Sequence, residues 1–202
     1  MNKMDKSLLM CDSTEGDGKA EIVMDYVMSW SLRHAIDEFK DSKPILSRYC
    51  RYMLGKLLDL TIDEMLSIES VKVWKEWQYM DLCVETIIKT NNGKRHFALL
   101  IENKYYGRLR ENQLQRYQKI FDAYYIQKSK EDNVEWILRH KLVSCFEDKE
   151  YVDSKYAKGM EGTDFVAIPF YDLLYPKYLD ETMTQYTNSE SEIFNEFWLR
   201  KW

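Results

Sequence analysis

The four cysteines, at positions 11, 50, 83 and 145, form no Cys-x-x-Cys pair, and the three histidines, His34, His96 and His140, stand far apart. That excludes the usual spacing of a structural zinc site. A chain of 202 residues has core enough to fold without a disulfide framework, and this spacing does not suggest one. No apolar run approaches the roughly 20 residues of a membrane span. Met1 to Cys11 holds only the short patch Leu8-Leu9-Met10, less than a secretory core needs. A soluble, cytoplasmic protein is expected. An excess of cations is missing too: the formal net charge is −5, which argues against a general coat for nucleic acid. Repeats, low-complexity tracts and linkers are absent.

What is present is unevenly placed. Between Lys94 and Lys119 stand seven cations (Lys94, Arg95, Lys104, Arg108, Arg110, Arg116 and Lys119) against two acids, Glu102 and Glu111. A basic island in an acidic chain points to a local anionic ligand; charge alone fits a solvated helix face better.

Residues 1–18 read as a flexible arm and residues 19–202 as a single domain. From Ala20, Val23, Tyr26, Val27 and Trp30 mark one helical face. Lys43-Pro44 breaks the pattern, and Leu46, Tyr49, Cys50, Met53 and Leu57 mark a second helix. Near residue 70 the period changes. Val71, Val73 and Trp77 suggest a strand, Asp81 to Lys89 another, and His96 to Lys104 a third, with Phe97, Leu99 and Ile101 alternating. Asn92-Gly93 is a strong hairpin signal. Leu114, Tyr117, Phe121, Tyr124 and Tyr125 then follow helical spacing. Trp136 to Cys145 and Phe165 to Tyr171 read as strands, the second at an edge because of Pro169. A last amphipathic helix carries Ile193, Phe194, Phe197 and Trp198. The order α-α-β-β-β-α-β-β-α implies an α/β fold, a central mixed sheet flanked by helices.

The hairpin gives these elements a geometry. With Asn92 and Gly93 as its loop, Asp81 lies opposite Lys104 and Cys83 opposite Glu102. Opposed residues share a face, as do alternate residues of one strand. Asp81, Glu102 and Lys104 therefore meet on one face, with Asp81 and Glu102 as diagonal neighbours about 7–8 Å apart along the backbone. Two such carboxylates can hold Mg²⁺ or Mn²⁺, joined by water and the Asn103 carbonyl. A nearby ammonium adds charge stabilisation. The plainer account is a surface ion pair between Asp81 and Lys104 worth about 0–1 kcal/mol. Against it, the charges follow directly on the apolar run Phe97 to Ile101, and two neighbouring acids there repel unless a cation joins them.

The segments Tyr-Met-Asp-Leu-Cys-Val-Glu, Leu-Leu-Ile-Glu-Asn-Lys and Asn-Gln-Leu-Gln-Arg-Tyr resemble the PD-(D/E)XK nuclease superfamily, most closely a bacterial branch with Ile-Glu-Asn-Lys and Gln-x-x-x-Tyr motifs. The resemblance covers about residues 70–125. It implies a restriction-endonuclease-like core and a Mg²⁺- or Mn²⁺-dependent nuclease acting on DNA ahead of RNA. Asp81, Glu102 and Lys104 take the catalytic positions. Asp81, Glu102 and Asn103 hold metal. Gln113 and Tyr117, four apart on one helical face, support the site, and Arg108 and Arg110 steer the nucleic acid. Met80 stands where the superfamily's name has Pro. Many members add an acid from a helix before the sheet; Glu21, Asp37, Glu38 and Glu64 are candidates. The alternative is a catalytically silent nucleic-acid-binding or defence-associated partner module. The aromatic C-terminal helix could pack a homodimer, although its own core is the simpler use.

Overall fold

The computed structural model describes residue 9, residues 17–174 and residues 188–200. Nearly all of the expected arm, and the chain's last two residues, lie outside them. Two helices come first, α1 (Asp17–Arg33) and α2 (Pro44–Leu58), with a short 3₁₀ turn (Asp37–Phe39) between. Proline fits the first turn of α2 because its missing N–H has no partner there in any case. Three strands follow, β1 (Ser67–Trp77), β2 (Met80–Thr90) and β3 (Gly93–Lys104), then α3 (Gln113–Asp132), β4 (Trp136–Ser144), α4 (Lys149–Met160) and β5 (Val166–Pro169). A short 3₁₀ turn (Phe170–Leu173) follows β5, and α5 (Glu192–Phe194) runs into a π-helical turn, Asn195–Leu199.

The five strands form one mixed sheet in the order β1-β2-β3-β4-β5. The first two pairings are antiparallel and the last two parallel. Ile68, Leu82, Val84, Ile88, Phe97, Leu99 and Ile101 pack on α1, α2 and the C-terminal helix. Cys83, Ala98, Leu100, Leu142 and Ala167 pack on α3 and α4. Phe97 to Ile101 is therefore buried on both faces, as a central strand covered on both sides must be. β5 lies at an edge, as Pro169 suggests. Among the described residues no helix is long and apolar enough to cross a membrane.

Three expectations change. α4 was not foreseen, yet β4 and β5 are parallel and need a crossover. It buries only Val152 and Tyr156, and its N-cap Asp148 accepts the Tyr151 N–H at 2.6 Å. On α1 the buried face runs through Ala20, Met24, Val27, Met28 and Leu32, and Tyr26 is exposed. The hairpin register also moves. Thr90 pairs with Gly93 and Leu82 with Ile101, so the loop is Asn91-Asn92. Gly93 has φ +102°, while neither asparagine enters the positive-φ region. The glycine takes the positive-φ position directly after the two-residue loop. Cys83 consequently faces Leu100, and continuing the ladder sets Asp81 against Glu102 instead of Lys104. The shift is two residues, so face parity survives: the three charged groups still share one face.

Candidate functional site

The end of β3 carries Glu102, Asn103 and Lys104 out of the core, and all three are buried. Glu102 is 1 % exposed. Its Oε1 accepts from Lys104 Nζ at 2.6 Å and from Gln113 Nε2 at 2.6 Å. Its Oε2 is buried and has no hydrogen-bond partner. Asp81, at the start of β2, accepts the Asn103 N–H on Oδ2 at 2.8 Å. The Asp81 and Glu102 carboxyls are close neighbours, and each acts on the other's ionisation. Burial raises both groups above the ordinary carboxylate range; the Asp81 charge helps push Glu102 to about 8. Burial works the other way on Lys104, but the Glu102, Asp81 and Glu21 charges outweigh it and hold the ammonium above its ordinary value. Lys104 Nζ also donates to the Asn103 carbonyl at 3.2 Å.

α3 begins beside this group. Gln113 is clamped from both ends, its Oε1 accepting the Arg110 N–H at 3.0 Å while its Nε2 holds Glu102. Tyr117 Oη lies 3.4 Å from the same Nε2. Arg108 and Arg110, on the connection between β3 and α3, are exposed. The basic island is not one patch: about 34 Å of extended strand separates Lys94 from Lys104, and Lys94 pairs with Glu69 at 2.6 Å.

Of the four candidate acids, Glu21 alone joins the group. It accepts the Tyr105 N–H at 3.1 Å, and its other oxygen lies 3.7 Å from Lys104 Nζ. Asp37 pairs with Arg51 and caps the Ile68 N–H, Glu64 caps the Thr61 N–H, and Glu38 is exposed. One acid escaped the sequence reading. Asp25, one turn beyond Glu21, accepts Asn103 Nδ2 at 2.7 Å. Burial, then the charge of Asp81, raises its carboxyl to about 7. The signal was the pair of acids four apart on α1, which a helix presents on one face.

Can these residues hold a cation? The donors are all oxygen, which suits a hard cation such as Mg²⁺ or Mn²⁺. Glu102 Oε2 is a buried acceptor without a donor, and the Asn103 carbonyl keeps a second lone pair beside the one Lys104 uses. Two neighbouring acids whose carboxyls burial has raised can both ionise once a cation lies between them. Among the described residues no three His, Cys, Asp or Glu side chains converge on one metal-sized point. Two carboxylates and a carbonyl would be a sufficient share for the protein, since Mg²⁺ commonly takes few protein ligands and keeps several waters.

Residues 17–199 match a family model described as the PD-(D/E)XK nuclease superfamily, and the chain belongs to that superfamily. The curated proteins and the solved structures gave no match.

Proposed function

We propose that this chain is a divalent-metal-dependent nuclease, acting on DNA ahead of RNA, with Asp81, Glu102 and Lys104 as its catalytic residues. One observation carries the reading: a buried pair of acids, one with an unpartnered oxygen, has an ammonium 2.6 Å away. Its superfamily, whose members are generally nucleases, supports the class.

Asp81, Glu102 and the Asn103 carbonyl would hold Mg²⁺ or Mn²⁺. When bound, the cation supplies an activated water and stabilises charge on a phosphoryl oxygen. The residues around it orient the parts. The Asn103 N–H fixes Asp81, and Gln113 fixes Glu102 through Oε1, which leaves Oε2 free to take a cation. Glu21 and Glu102 keep Lys104 charged in a buried place. An ammonium so placed stabilises charge developing on the phosphate far more than it would in bulk water. Tyr117 supports Gln113, and exposed Arg108 and Arg110 guide the phosphate backbone.

The test is to incubate supercoiled plasmid, linear single-stranded DNA and RNA with the protein in Mg²⁺, Mn²⁺ or a chelator. Metal-dependent cleavage that Asp81→Ala abolishes is expected. Cleavage that survives both the chelator and Asp81→Ala would overturn the assignment. Folded wild type that binds but cuts none of the substrates would favour a silent binding module.

A further inference from the structure

Beside the candidate site, on the same face of the sheet, lies a cavity of about 140 Å³ that the proposed chemistry does not use. Trp74, Trp77, Tyr124, Tyr125, Cys83, Glu85 and Lys128 line it. It sits close to the metal ligands: Cys83 is two residues along β2 from Asp81, about 7 Å in an extended strand, and Trp74 pairs with Cys83 from β1. The turn Gln78-Tyr79 joins Trp77 to the strand carrying Asp81, and both its residues have positive φ.

The walls are aromatic and incompletely closed. Trp77 and Tyr124 meet edge-on at 5.0 Å between ring centres. Trp74 remains 42 % exposed and Tyr124 44 % exposed. At its inner end Glu85 Oε1 accepts from Tyr125 Oη at 3.1 Å and from Lys128 Nζ at 2.8 Å. The cavity thus has apolar flat walls and a polar end offering a carboxylate and an ammonium. Its volume is far below the roughly 300–1,000 Å³ of a site for a whole small molecule. It suits one planar heterocycle with hydrogen-bonding groups on its edge.

We propose that this cavity receives an unstacked base of a single-stranded nucleic acid, next to the nucleotide whose phosphate is cut, so that the enzyme favours unpaired over fully paired substrate. The proposal rests on the nuclease reading above. A base inside a duplex is stacked and paired on its edge and cannot enter; a base in a single strand is free to stack on tryptophan and tyrosine. Glu85 accepts from an exocyclic amine, as carboxylates do from cytosine. Lys128 donates to a ring or carbonyl acceptor.

The experiment measures affinity, with tryptophan fluorescence as the signal. Cleavage-resistant phosphorothioate oligonucleotides are titrated in Ca²⁺, which binds sulfur poorly: a single-stranded DNA, a single-stranded RNA, a blunt DNA duplex of equal length, and the single-stranded DNA with abasic sites. Tyr124→Ala and Trp74→Ala should each weaken single-strand binding about ten-fold, the scale of one lost base stack. Duplex affinity should not move, and Tyr124→Phe, which keeps the ring, should bind as wild type does. The abasic strand should bind wild type about as weakly as the normal strand binds Tyr124→Ala, and Tyr124→Ala should weaken it no further, as coupling of ring and base demands. A single strand that binds wild type well but ignores both alanine variants, or a duplex that loses as much, overturns this proposal and leaves the nuclease reading standing. Folded wild type that binds no nucleic acid overturns both.

Discussion

At the scale of single residues, burial decides the behaviour of the site. From the sequence, Lys104 looks dispensable for folding. The structure leaves it 7 % exposed and pairs it with Glu102 and Glu21. Removing one partner of a buried ion pair leaves the other uncompensated and costs about 3–5 kcal/mol. Lys104→Ala should therefore melt well below wild type in a chelator and recover much of the loss in Mn²⁺, because the cation then compensates Asp81 and Glu102. Equal melting of the two proteins in chelator would contradict the buried pairing. At saturating Mn²⁺ the variant's cleavage should still fall about 10²–10³-fold, the usual cost of one lost electrostatic donor.

The raised carboxyls set a pH dependence. Asp25 rises from 3.8 to about 7 and Glu102 from 4.5 to about 8. Between the ordinary and raised values the folded chain holds protons that the unfolded chain has released, so stability falls as pH rises. This contribution is complete below the ordinary values and lost as pH passes through 7 and 8. Metal-free wild type should accordingly lose more melting temperature between about pH 5 and 8 than Asp25→Asn, which carries no such proton. Identical slopes would remove Asp25 from the buried cluster. Asp25 shares a face of α1 with Glu21, but nothing local in the sequence says what that face meets. Its role comes from Asn103, 78 positions away.

At the scale of elements, the sequence revealed most where period and turn chemistry are strong. The continuous burial of Phe97 to Ile101 and the helical stripe from Leu46 to Leu57 follow from spacing. Hairpin register was harder to read, because Asn-Asn-Gly fits two turns: one with Asn92 and Gly93 as the loop, the other with Asn91 and Asn92 as the loop and Gly93 just after it. Gly93→Ala discriminates between sterics and conformation. A Cβ there meets nothing within 4 Å, yet φ is +102°. The whole cost is thus backbone strain, about 1–2 kcal/mol, read as a lower melting temperature with metal affinity unchanged. No loss of stability would put Gly93 outside the left-handed region. α4 escaped notice because it buries only two residues, Val152 and Tyr156, too few for a clear period. Aromatics at 194, 197 and 198 pack inside this chain: the Phe170 and Trp198 rings stack at 4.5 Å, and Trp198 Nε1 donates to Ser31 at 2.9 Å.

At the scale of the whole molecule, two exposed arginines stand beside the site of an otherwise acidic chain. A net charge of −5 would repel a polyanion from most approaches. Arg108 and Arg110 stand exposed next to Lys104 and Gln113, whereas Lys94 and Arg95 lie at the far end of β3. Each of Arg108→Ala and Arg110→Ala should reduce the slope of log affinity against log salt by about 1. Lys94→Ala should leave it unchanged. A slope that responds equally to all three would mean that the nucleic acid runs along the whole strand.

The central claim is that Asp81 and Glu102 jointly hold a divalent cation, and calorimetric titration of Mn²⁺ at about pH 7 tests it directly. Burial raises both carboxyls, Glu102 to about 8, so metal entry near pH 7 should displace a proton, visible as a heat that changes with the ionisation enthalpy of the buffer. Asp81→Ala should bind far more weakly and lose that buffer dependence. Mn²⁺ affinity and proton release equal to wild type in Asp81→Ala would contradict the account.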